Sequence, residues 1–132
     1  MSKKQRLTKL QKKWLKALRS GRYRQTTSSL CELESGSYCC LGVAARVCGV
    51  PKSQLLDITD LSKKPCLLKV KERLRLRDSN GLLLHGHGPK ATYQSLTNVN
   101  DYERLTFDEI ADFIEKDPEN VFLPPKKRAK TV

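Results

Sequence analysis

Residues 73–84 read Arg73-Leu74-Arg75-Leu76-Arg77-Asp78-Ser79-Asn80-Gly81-Leu82-Leu83-Leu84. Charged and apolar residues alternate strictly from Arg73 to Arg77. Period two predicts a strand with leucines inward and arginines outward. Asn80-Gly81 is a strong hairpin signal, and Leu82–Leu84 is the expected return strand. A second pair of short strands is expected at 28–33 and 37–41, around Glu34-Ser35-Gly36. Together they predict a small antiparallel sheet of two hairpins.

Helical signals flank those strands. Thr8 and Gln11 have capping-box spacing ahead of an apolar stripe at Leu10, Trp14, Leu15 and Leu18. Gly21 is placed to end this helix in the left-handed region. Leu41–Cys48 is small and apolar, closes on Gly49 and Pro51, and predicts a short buried helix. A further helical turn is expected within 52–61, and a short helix over 93–99. Thr106 and Glu109 form another capping box, Leu105 and Ile110 sit at hydrophobic-staple positions, and Pro118 stops that helix. Ile110, Phe113 and Ile114 are its expected buried stripe. The order predicts an α+β fold, with the sheet packed against N- and C-terminal amphipathic helices. A single domain is expected over 1–123, and a flexible basic tail over 124–132.

The chain has 132 residues, with 26 Lys+Arg against 14 Asp+Glu, for a net charge of +12. Hydrophobic residues are 38% of it, which suits a modest core and argues against wholesale disorder. No apolar run approaches the ~20 residues that span a bilayer, so no membrane partner is expected. Lys3, Lys4 and Arg6 lead into an amphipathic stretch, so no secretory leader is expected. Five cysteines, two of them adjacent, argue for a reducing compartment over a disulfide scaffold. The charge is uneven. Residues 1–24 carry ten basic residues and no acidic one, residues 101–119 carry a net −6, and the last thirteen add +4.

The residues that could carry chemistry are few. Cys31, Cys39, Cys40, Cys48, Cys66, His85 and His87 lack the paired spacings of a structural zinc site, so no metal is expected. Cys40, near a predicted helix start, is the best thiol nucleophile on paper, but core-like Leu-Gly-Val follows it. His85 and His87 flank Gly86 in a glycine-rich loop that could touch a phosphate. Asp108, Glu109 and Asp112 are explained by capping and the helix dipole. No phosphate-cradling glycine motif occurs. No catalytic residue and no cofactor is therefore expected.

The basic residues are the expected site. Lys9, Lys12, Lys13, Lys16 and Arg19 cover the polar face of the first helix, and Arg22 and Arg24 follow it. Arg73, Arg75 and Arg77 would form an outward row spaced about 6.6–7 Å apart, close to the phosphate repeat of a nucleic-acid strand. Lys126, Lys127, Arg128 and Lys130 make the tail basic. Tyr23 and Tyr93 are the only obvious stacking candidates beside them, and at 6% aromatics the composition argues against a dedicated single-strand stacking platform.

Four segments occur in order along the chain: Lys13–Gln25 (KWLKALRSGRYRQ), Ser37–Val50 (SYCCLGVAARVCGV), Ser95–Asp101 (SLTNVND) and Thr106–Glu115 (TFDEIADFIE). They resemble a set of small proteins encoded by tailed phages, with the pattern W-x-x-A-L-R-S-G-x-Y-x-Q, C-C-L-G-V, N-D and F-x-E-I-A-D-x-I-E. Residues 51–90 and the basic tail depart from that pattern. The resemblance implies a viral source and the cytoplasm of an infected bacterium. It carries over no catalytic residue, because no established activity attaches to the set. The expected function is that of a non-enzymatic, phage-encoded basic protein that binds nucleic acid through phosphates. The alternatives are an anti-defence or host-takeover inhibitor of an acidic host macromolecule, nucleoprotein complex or nucleotide signal, and a virion accessory protein.

Overall fold

The computed structural model describes residues 6–124. Its elements in chain order are helices α1 (Lys9–Arg19), α2 (Cys40–Val47) and α3 (Pro65–Leu74), strands β1 (Leu82–His87) and β2 (Tyr93–Ser95), and helices α4 (Leu96–Asn98), α5 (Phe107–Lys116) and α6 (Pro118–Val121). A 3-10 turn spans Lys52–Gln54, and a π-helical turn spans Val99–Glu103. The class is mixed α+β. Among the described residues no helix is long and apolar enough to cross a membrane. Lys126, Lys127, Arg128 and Lys130 of the expected tail lie outside the described residues.

Helix α1 starts as its sequence predicts. Gln11 N donates to Thr8 Oγ1 at 3.1 Å, and Thr8 N donates to Gln11 Oε1 at 2.9 Å. Gly21, at φ +77°, turns the chain away after the last turn. Trp14, Leu15 and Leu18 are buried. Trp14 has no exposed surface; its Nε1 donates to Cys40 O at 3.0 Å, and its ring meets Phe122 edge-on at 6.1 Å. Gln11 is buried too. Its Nε2 donates to Leu74 O at 2.9 Å, so one amide caps the start of α1 and satisfies a carbonyl at the end of α3.

Helix α2 lies deep in the core. A Cβ on Gly42 would sit 1.8 Å from Leu30 O, so only glycine permits this close approach. Cys39 provides no side-chain cap. Instead Asn100, 1% exposed, accepts from Cys40 N through Oδ1 at 3.2 Å and from Gln25 Nε2 at 2.9 Å. Its Nδ2 donates to Thr26 O at 2.9 Å and to Asp101 Oδ1 at 2.8 Å. Gln25 Nε2 also donates to Leu105 O at 2.7 Å, just before α5. The capping box of α5 forms between Thr106 and Glu109 as expected.

The sheet departs from expectation. It has two strands, β1 and β2, paired antiparallel with an irregularity between Leu82–Ser95 at one end and His87–Tyr93 at the other. No hairpin of two strands forms over 28–41. Glu32–Gly36 is a tight turn, and Tyr38 makes only isolated bridges to Cys31 and Gln25. Cys40 already opens α2, which leaves no length for a strand there. Nor is Arg73–Arg77 a strand. Arg73 and Leu74 end α3, and Arg75 is its left-handed cap at φ 65°. Leu74 and Leu76 both reach the core because the helix ends between them. The Asn80-Gly81 turn leads into β1, whose partner comes after it, not before. Tyr93–Ser95 is strand, and the expected short helix begins only at Leu96, capped by Ser95. The sheet rests chiefly on α6 and the turn at Val99–Glu103, whereas α1 packs against α5, α2 and α3.

Asn100→Ala removes the side-chain partner of the Cys40 amide and of the Thr26 carbonyl, and takes one of the two acceptors of the Gln25 amide, which keeps Leu105 O. An expected loss of about 2–4 kcal/mol should appear in urea denaturation, and a loss under ~0.5 kcal/mol would refute the central role of this amide.

Candidate functional site

The polar face of α1 meets the C-terminal end of α2 across a groove of about 510 Å³. Lys13 and Lys16 line it from one face of α1, three residues apart. Arg22 and Tyr23 line it from the segment that Gly21 turns back. Arg46 lines it from the last turn of α2. Among the described residues no carboxylate lines this groove. Four cations from three segments therefore share one concavity.

Two of these residues are held by neighbours. The Tyr23 ring meets the buried Tyr38 ring edge-to-face, with centroids 5.2 Å apart and planes at 88°. Burial pushes the Tyr38 phenol up, and Arg46 counters this only in part. Arg46 donates through Nη1 to Val50 O at 2.9 Å, which caps the carbonyls beyond α2. Its Nε is buried and has no hydrogen-bond partner.

The other sequence-predicted basic residues divide into three groups. Lys9 and Lys12 lie exposed on α1, and Arg24 lies exposed beyond it. Arg19 is not part of a free basic face. Its Nη2 donates to Asp112 Oδ1 at 2.7 Å and to Glu115 Oε1 at 3.0 Å, and it joins α1 to α5. The hydrogen bond to Asp112 is the main cause of the rise in its pKa. Arg73, Arg75 and Arg77 form no outward ladder. Arg73 donates to Cys48 O at 3.1 Å, at the end of α2. Arg75 donates to Pro124 O, and its own carbonyl accepts from Leu123 N at 2.7 Å. Arg77 reaches Asn120 O at 3.0 Å and Glu119 O at 2.9 Å, both in α6. Arg73 and Arg75 give one donor each, and Arg77 gives two, to backbone carbonyls near the end of a helix or in the C-terminal strap.

The histidines diverge as well. His85 is exposed, and its backbone N–H donates to Asn120 Oδ1 at 2.6 Å. The His87 ring sits 2.6 Å from Glu103 Oε1 and lies edge-on to Phe113. Tyr93 packs over Gly88, not beside the groove lysines. Cys40 has no exposed surface, and burial pushes its thiol well above the usual value, which opposes thiolate chemistry. Burial likewise pushes Cys39 up to about 12. Among the described residues no group of three His, Cys, Asp or Glu side chains could hold a metal ion.

Sequence reasoning missed Arg46 and its place in the groove. A lone arginine in a small apolar helix carries no periodic signal. It also missed α3, although Pro65 at a helix start and the Leu67, Val70, Leu74 spacing were there to find it.

A family model described as a domain of unknown function, DUF8296, matches residues 6–49. That span runs from before α1 through the end of α2 and contains all five groove residues named above. No curated protein and no solved structure matches the chain.

Two outcomes follow from these placements. Changing Arg77 to Gln removes its charged bond pair to α6 and should lower stability by about 1–2 kcal/mol in urea denaturation. The same change at Lys12 should stay within about 0.5 kcal/mol, because Lys12 is an exposed side chain. Equal effects would show that Arg77 is not structural. Alkaline pH gives the second. Folding raises the Cys39 pKa from 9.0 to about 12, so the folded state keeps this proton longer than the unfolded one. The stability tied to the neutral thiol is complete below pH 9.0 and declines as pH rises toward about 12. The denaturation midpoint should therefore fall between pH ~8 and pH ~10.5, and fall less in Cys39→Ala. An undiminished fall in that variant would assign it to other groups.

Proposed function

We propose that the chain is a non-enzymatic basic protein that binds nucleic acid through its phosphates. The observation that carries this reading is the convergence of Lys13, Lys16, Arg22 and Arg46 on one groove without a lining carboxylate. Lys9, Lys12 and Arg24 extend the positive surface along and beyond α1. Such a surface attracts a polyanion and neutralises several phosphates at once, whatever the base sequence. Arginine adds bidentate phosphate contacts, and lysine adds adaptable point charges. Arg19 is paired with Asp112 and Glu115, and Arg73, Arg75 and Arg77 do not line this groove, so the reading does not count them as contacts. The reading takes the cytoplasm of an infected bacterium, implied by the phage resemblance, as the setting, where nucleic acids are abundant polyanions.

Salt-titrated gel shifts with random-sequence DNA and RNA test it. Binding should weaken steeply with salt, with a log–log slope near −0.9 per phosphate contact on duplex DNA. Changing Lys12, Lys13 and Lys16 together to Gln should make the slope shallower by about 2–3 while leaving the denaturation midpoint in place. Absence of binding at ~50 mM salt, or binding insensitive to salt, would overturn the reading.

A further inference from the structure

We infer that the groove between α1 and α2 holds one unpaired nucleotide of a single strand, with its phosphate on the four cations and its base against Tyr23. The inference rests on the phosphate-binding reading and adds base contact to it.

Three observations carry it. First, the groove is a concavity, not a flat basic face. At about 510 Å³ and open to solvent, it has room for one nucleotide without enclosing it. A flat face would suffice for duplex phosphates. Second, its lining combines cations with a single aromatic ring. Tyr23 is half-buried, and Tyr38 braces one side of it edge-to-face, so little ordering remains for a base to supply. Stacking on a fixed ring is insensitive to base identity, because every base has a π-face. Third, the Arg46 guanidinium is partly desolvated. One donor goes to Val50 O, the buried Nε is out of reach of a ligand, and no carboxylate lines the groove to balance the charge of the remaining guanidinium donors. An anion supplied from outside meets that need.

Strand type follows from geometry. In a duplex the base faces are stacked and paired, and only sugar and phosphate could enter the groove. A single strand can turn a base out of its stack and place it on an aromatic side chain.

The test compares two probes of equal charge by fluorescence anisotropy on the full chain. One is a labelled oligothymidylate of about 12 nucleotides, and the other is an abasic phosphodiester of the same length. The oligothymidylate should bind about tenfold more tightly, the worth of one stacked base, at the same salt slope. Tyr23→Phe should keep the difference, and Tyr23→Ala should erase it. Should Tyr23→Ala unfold for want of its contact with Tyr38, Tyr23→Leu replaces it, which keeps apolar packing and removes the ring, and should erase the difference likewise. Equal affinity for both probes overturns the nucleotide subsite and leaves phosphate binding intact. Binding of neither probe at low salt overturns both.

Discussion

The side-chain amide of Asn100 joins parts of the chain that are remote in sequence. Its oxygen accepts from the first amide of α2 and from Gln25, and its nitrogen donates to Thr26 O. Gln25 then carries the link on to Leu105, beside the start of α5. A buried polar group is tolerable only when its hydrogen bonds are satisfied, and once satisfied it admits few alternative packings. Helix α2 has no side-chain cap of its own, so its N-terminus depends on this distant residue. The position of α2 in turn decides where Arg46 emerges.

Helix α1 is the second organising element, and it works through two faces. Trp14, Leu15 and Leu18 face the core, and Gln11 ties the helix to the end of α3. The other face carries the lysines. Amphipathicity thus serves two ends, since burying one face obliges the cations to share the other. The groove exists because the C-terminal end of α2 runs beside that cationic face and because Gly21 turns Arg22 and Tyr23 back toward it.

The arginines at 73, 75 and 77 show how a local pattern misleads. Strict alternation over five residues is a strand signal, yet here it straddles a helix end. Leu74 is the last residue of α3, Arg75 takes a left-handed conformation at a cost of about 1–2 kcal/mol, and Leu76 starts a bridge to Phe122. Both leucines are buried, as alternation requires, but Arg75 between them and Arg77 after them turn to backbone carbonyls. A helix end leaves carbonyls open, and a long cationic side chain nearby will find them. Neither the open carbonyls nor their nearness can be read from residues 73–77 alone. The bracing of β1 by Asn120, which binds His85 N and Gly86 O, is hidden for the same reason.

By itself the sequence determined what is local. Capping boxes at Thr8 and Thr106, the apolar stripes behind them, the turn at Gly21 and the sign of the charge all depend on residues within a few positions of one another. It also placed the cations of α1 on a common face, because helical period alone does that. Only the tertiary structure decided which cations are free. Arg19 meets Asp112 and Glu115 across 93 and 96 residues, and the three later arginines bond carbonyls of other segments, away from the groove. Arg46, unremarkable in sequence, joins Lys13, Lys16 and Arg22 through packing. Pairing is a matter of distance in space, and distance in space is set by the buried contacts of α1 and α2, not by the spacing of charges along the chain.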